Sequence, residues 1–114
     1  MTARKLELKL IDAIKAGKPV REGNTAYDGK TVTLHGHPIL CIDAQRRVTV
    51  RLDTLQQWPT ATTKSRVNNL LSGLGLRVSF ATRNRVLLVR IAPGLMAVPV
   101  ASLGLVKLHA GVIS

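Results

Sequence analysis

No carboxylate side chain follows Asp53. Glu7, Asp12, Glu22, Asp28, Asp43 and Asp53 are the whole acidic set, while residues 54–114 carry Lys64, Arg66, Arg77, Arg83, Arg85, Arg90 and Lys107. A chain of formal net charge +11 with this distribution cannot neutralise itself internally, so a positive field reaches solvent and favours polyanions or acidic surfaces as partners. Aromatics are nearly absent as well. Tyr27, Trp58 and Phe80 are the only three, so Val, Leu and Ile must fill the core and stacking platforms for bases are scarce. The lone cysteine, Cys41, forms no internal disulfide, which points to a reducing compartment and away from a secreted, disulfide-stapled scaffold.

Long apolar runs are also missing. Residues 91–106 contain no charge, but the stretch is shorter than a bilayer span of about 18 residues and is interrupted by Pro93, Gly94, Pro99 and Gly104. Short strands and turns account for the same letters, and no membrane association is expected. The N-terminus mixes Arg4, Lys5, Glu7, Lys9 and Asp12 among its apolar positions, unlike the uninterrupted core of an export signal.

At 114 residues the chain is read as a single α+β domain, large enough to bury a core without staples. Over residues 3–16, Leu6, Leu10, Ala13 and Ile14 recur at helical spacing, and Gly17-Lys18-Pro19 ends the helix. From Thr25 the period becomes two. Thr31–His35, Ile39–Asp43 and Arg47–Leu52 read as antiparallel strands, the last with a basic wet face carrying Arg47 and Arg51 and only Asp53 to compensate. A second helix opens near Thr60, Thr62 or Thr63, buries Val67, Leu70, Leu71 and Leu74, and stops at Gly73 and Gly75. The remainder reads as strands: a hairpin with Arg83-Asn84 at its tip, which would set Arg77 beside Arg90, then residues 95–100 and 104–109. The whole is an N-terminal helix and a central helix packed on a mostly antiparallel sheet.

Residues 24–71 resemble small, uncharacterised proteins of tailed bacteriophages. The matching letters are Gly23-Asn24-Thr25, Leu34-His35-Gly36 with Ile39, and Trp58-Pro59-Thr60 running into Thr62-Thr63-Lys64-Ser65-Arg66-Val67-Asn68. In that family a hairpin precedes a Trp-x-Thr-x-Thr-Thr-basic-x-Arg-Leu-Asn segment that opens a helix. This chain departs at Gln57, where glycine is common, and at Val67, where leucine is usual. The resemblance implies a phage origin, and hence the cytoplasm of an infected host, and defines no activity.

Two constellations invite a binding role. Lys64 and Arg66 occupy the first turns of the second helix, where carboxylates are usual, so free amides, threonine hydroxyls and cations assemble the ingredients of a phosphate site. Asn68 on the same helix could pair with an adenine edge. Arg77, Arg83, Arg85 and Arg90 on the hairpin could straddle phosphates, lie in an acidic groove of a host protein, or merely discourage edge pairing. Arg47, Arg51, Lys64, Arg66, Asn68, Arg77, Arg83, Arg85 and Arg90 therefore form the expected contact set for nucleic acid, DNA in preference to RNA. An acidic or nucleic-acid-binding surface on a bacterial protein, blocked by this chain, is the alternative partner. Pairing with a second copy across an apolar C-terminal edge is a further option.

Enzymatic chemistry finds little support. His35, His37 and Cys41 contain zinc-ligand types but not four ligands, and a Cys41 nucleophile beside His35 or His37 would lie among Ile and Leu, where thiols are usually inert. No carboxylate pair and no Gly-rich phosphate loop is recognisable, and nothing asks for a cofactor. Trp58-Pro59 is expected to seal the core beneath the second helix rather than to stack a base.

Overall fold

The computed structural model describes residues 5–113, so residues 3 and 4 of the expected helix, Arg4 among them, lie outside the described residues. The architecture is α+β, with two antiparallel sheets and three α-helices. The first sheet has six strands in the order β1-β2-β3-β4-β5-β9, and the second has three in the order β6-β7-β8.

Helix α1 (Lys5–Ala16) buries Glu7, Leu10, Ile11 and Ile14 on one stripe. Its end is a Schellman turn: Gly17, at φ 70°, donates to Ile14 O at 3.1 Å, and Lys18 donates to Ala13 O at 2.9 Å. Strands β1 (Val20–Glu22), β2 (Thr25–Tyr27), β3 (Thr31–Leu34), β4 (His37–Ile42) and β5 (Arg47–Arg51) then meander. Their register lines up Thr25 with Leu34, Tyr27 with Val32, Val32 with Leu40, Leu40 with Val50, and Ile42 with Val48. All of these are buried on one face, and each fully buried Val or Leu contributes about 1.5–3 kcal/mol. Thr31, Thr33, Cys41 and Thr49 line the other face and are half-buried.

The β3–β4 ladder contains a bulge that places Ile39 between the pairs Val32–Leu40 and Thr33–Pro38. Ile39 and Leu40 are consequently both buried, and Cys41 faces away from the side that carries His37. Strand β5 stops at Arg51 instead of continuing to Leu52. Leu52 opens a short helix, α2 (Leu52–Gln57), because the Leu52 and Asp53 amides turn to Val106 O at 2.8 and 3.2 Å.

Helix α3 (Ala61–Gly73) is capped by Thr60, whose hydroxyl accepts from the Thr63 amide at 3.2 Å. Its C-terminus is a second Schellman turn, with Gly75 at φ 81° donating to Ser72 O and Leu76 to Leu71 O. Gly73 has a different task from the stop expected of it. A Cβ there would lie 2.2 Å from Ile11 Cδ1, so the glycine lets α1 and α3 cross closely. Gly73→Ala should therefore cost about 1–3 kcal/mol through overpacking, outweighing the roughly 1 kcal/mol that alanine gains in helix propensity. Urea unfolding measures it, and Ile11→Val in the same chain should recover part of the loss.

The hairpin β6 (Ser79–Arg83) and β7 (Val86–Arg90) pairs Ser79 with Arg90, Phe80 with Val89, Thr82 with Leu87 and Arg83 with Val86. Its tip is Asn84-Arg85, both left-handed at φ 51° and 65°, one residue later than expected. Arg77 thus lies outside the ladder and is not opposite Arg90. The uncharged stretch after β7 forms a turn, the two-residue β8 (Val98–Pro99) and a 3₁₀ turn over Val100–Leu103. Strand β9 (Lys107–Val112) then leaves the hairpin sheet and joins β5. Among the described residues, no helix is long and apolar enough to cross a membrane.

Candidate functional site

Much of the positive charge singled out in the sequence is consumed by the fold. Arg47 Nε donates to Asp43 at 2.7 Å, and Arg51 clasps Asp53 through Nε at 3.0 Å and Nη2 at 2.8 Å. Asp43 therefore compensates the basic face of β5 alongside Asp53. Arg66 is not a surface cation. It lies in the core 3.2 Å from Glu7 Oε2 and donates through Nη1 to Thr25 Oγ1 at 2.7 Å. Its Nε–Glu7 contact is a charge pairing, without the alignment of a hydrogen bond. Asn69 Nδ2 donates to the other oxygen of Glu7 at 3.0 Å, completing a polar knot between α1, β2 and α3. Asn68 is committed too. Its amide donates to Phe80 O and accepts from Phe80 N, both at 2.8 Å, fastening β6 to α3, so its side chain is not presented to a base edge.

Three surface carboxylates, Asp28, Asp43 and Asp53, have a pH signature. The Arg47 backbone amide, with the Arg47 side chain, holds Asp43 below its usual range; the Arg51 guanidinium does the same for Asp53; and the amides of Thr31 and Lys30 lower Asp28. A carboxylate whose folded pKa is depressed stabilises the fold above its unfolded value near 4 and ceases to do so as pH falls through the folded value. Thermal stability should accordingly be flat in these groups from about pH 8 to pH 5 and fall below about pH 4, as a melting series would record.

Lys64, Arg77, Arg83, Arg85 and Arg90 are what is left of the expected set. None of them forms an ion pair with a carboxylate of the described residues. Lys64 Nζ meets the Thr82 hydroxyl, which brings the first turns of α3 against the outer end of the hairpin. Arg83 and Arg85 flank Asn84 at that same end. Arg85, with Pro59, Gln56 and Leu87, lines a cavity of about 530 Å³. Arg90 pairs with Ser79 four residues beyond the closing Arg83–Val86 pair, about 13 Å from it along the strand, and lines a smaller recess of about 170 Å³ with Ala81 and Leu88. The basic residues thus divide between Lys64, Arg83 and Arg85 at the hairpin tip, Arg90 at its base, and an exposed Arg77 in the connection from α3 to β6.

A second feature was not expected from the sequence. A cavity of about 460 Å³ opens between the β3–β4 turn and the start of α3. Leu34, His35, His37 and Ile39 form one wall, and Trp58, Thr60, Thr62 and Thr63 form the other, with Thr54 of α2 between them. Trp58 does not seal the core. Its side chain is 43% exposed, and its ring lies 5.0 Å from His37, tilted by 32°. Pro59 faces the neighbouring cavity that holds Arg85, so the Trp58–Thr60 segment is the ridge between the two. Leu34, His35 and Ile39 thus face Trp58, Thr60, Thr62 and Thr63 across the cavity, although the two groups are some twenty residues apart in the sequence.

His35, at φ 53° in the β3–β4 turn, and His37 share the cavity, while the bulge turns Cys41 to the opposite face of the sheet. Among the described residues, no three of His, Cys, Asp and Glu come together as a metal site. Comparison with protein-family models, with curated proteins and with solved structures finds no match.

Proposed function

We propose that this protein binds nucleic acid, holding phosphates with the cations at the start of α3 and at the hairpin tip, in the cytoplasm of a phage-infected cell. The observation that carries this reading is Arg85. It occupies the second position of a two-residue turn at φ 65°, where glycine fits without strain and an ordinary side chain costs about 1 kcal/mol or more. No hydrogen bond or ion pair to the described residues offsets that cost, and Arg83 and Lys64 stand beside it at the same end of the hairpin. An exposed cation with no carboxylate partner among the described residues is what phosphate binding would require. Modest sequence dependence and DNA as the preferred partner belong to the same proposal; Asn68, the side chain expected to pair with an adenine edge, is engaged by Phe80 instead.

A salt titration tests it. Fluorescence anisotropy with short DNA should give a dissociation constant of about 1–100 μM near physiological salt. Three neutralised phosphates should give a log–log salt slope of about −2 to −3. No binding even at low salt would overturn the proposal.

An acidic or nucleic-acid-binding host protein remains the second reading because of the segment following Arg90. Ile91, Leu95 and Met96 are exposed there, Met96 to 87%, and apolar side chains beside a cation suit a protein surface better than a phosphate backbone. Binding to a protein through that segment would respond to Met96→Ser and Leu95→Ser, which should leave DNA affinity unchanged.

A further inference from the structure

We infer that the cavity between the β3–β4 turn and α3 is a nucleotide pocket, with the base against Trp58 and the phosphate at the first turn of α3. This rests on the nucleic-acid reading and specifies what enters the protein. The cavity, at about 460 Å³, has the size of a small-molecule site. Its apolar floor is Leu34 and Ile39, and the exposed Trp58 ring, braced by His37, gives the chain its only tryptophan stacking surface.

At the polar end, Thr60 O and Oγ1 take the amides of Lys64 and Thr63, which leaves those of Ala61 and Thr62 without a partner within the helix. The first turn contains no acidic residue, and no carboxylate lines the cavity to repel an anion. Thr54 is the independent sign of a ligand. It lines the cavity from a different helix and is only 6% exposed, and its hydroxyl makes no hydrogen bond to any described residue. That hydroxyl has both donor and acceptor capacity to offer, and a nucleotide's sugar or base edge supplies the matching acceptors and donors. Across the Pro59 ridge lie Lys64 and Arg85, placed to meet the next phosphates of a strand whose nucleotide has entered.

The test uses the intact chain. Trp58 is its own reporter, so adenosine monophosphate should quench its fluorescence saturably, and inorganic phosphate should compete at least tenfold less well on the basis of base–aromatic stacking. Anisotropy with a labelled oligothymidylate of roughly ten nucleotides should show Trp58→Ala binding about tenfold more weakly, with the salt slope unchanged and Trp58→Phe restoring most of the loss. Thr54→Val should weaken binding several-fold without altering the melting temperature.

Oligonucleotide binding that is unaffected in both Trp58→Ala and Thr54→Val would overturn the pocket while leaving the phosphate grip intact. Quenching by the mononucleotide with no binding of the strand would support the pocket for a free nucleotide and overturn the strand reading. Equal competition by inorganic phosphate would overturn the role of the base.

Discussion

Replacing Arg66 with alanine should destabilise the fold by about 3–5 kcal/mol, a large part of the roughly 5–15 kcal/mol that holds a domain of this size together. The guanidinium is buried against Glu7, which is itself only 1% exposed, so the substitution removes a cation from beside a carboxylate in the core. It also removes the donor to Thr25 that ties α3 to β2. Glu7→Gln should be costly for the converse reason, stranding a buried cation. By contrast, the double variant Glu7→Leu with Arg66→Met should recover much of the loss, since a buried ion pair often contributes no more than an apolar pair of similar volume. Chemical unfolding of the singles and the double gives the coupling directly. A loss below about 0.5 kcal/mol for Arg66→Ala would show that this knot does not hold α1 to α3.

That knot shows how far the sequence can be read. Glu7 falls on the same helical stripe as Leu10, Ile11 and Ile14, and Arg66 falls among Thr63, Val67, Leu70 and Leu71. Two opposite charges, each on the apolar face of its own helix, were a legible sign that they meet inside. The usual exposure of arginine argued the other way and sent Arg66 to the surface set.

Local rules fared better elsewhere. Alternation located β3, β4 and β5, threonine marked the start of α3, and glycine marked the ends of α1 and α3. The hairpin was expected with the right strands and the wrong tip. Moving the turn by one residue changes every pairing by two, so the buried face of Phe80, Leu87 and Val89 survived the error and the Arg77–Arg90 neighbourhood did not. What could not be read depends on distant chain. Strand β9 joins β5 rather than the hairpin, and α2 forms because two amides find Val106 O half the chain away. The cavity was hidden for the same reason. Its walls come from residues 34–39 and 54–63, and the bulge that turns Ile39 inward is a property of the β3–β4 pairing, not of either strand alone.

Substituting Arg85 by glycine should move stability and binding in opposite directions. Glycine adopts φ 65° without the steric cost borne by arginine, so the hairpin should gain about 1 kcal/mol, seen as a higher unfolding midpoint. The same change removes a cation with no carboxylate partner among the described residues, so DNA affinity should fall several-fold and the salt slope should flatten by about 0.7–0.9. Adding Arg83→Gln should flatten the slope by a similar further amount.

Arg47→Gln with Arg51→Gln removes the same formal charge from positions already paired with Asp43 and Asp53. It should change binding far less. If the two pairs of variants weaken binding equally, net charge alone governs the interaction and the hairpin tip has no special part in it. A tip whose mutation costs affinity while stabilising the fold would instead identify a residue maintained against the interest of the hairpin, which structural or solubility roles for Arg85 do not explain.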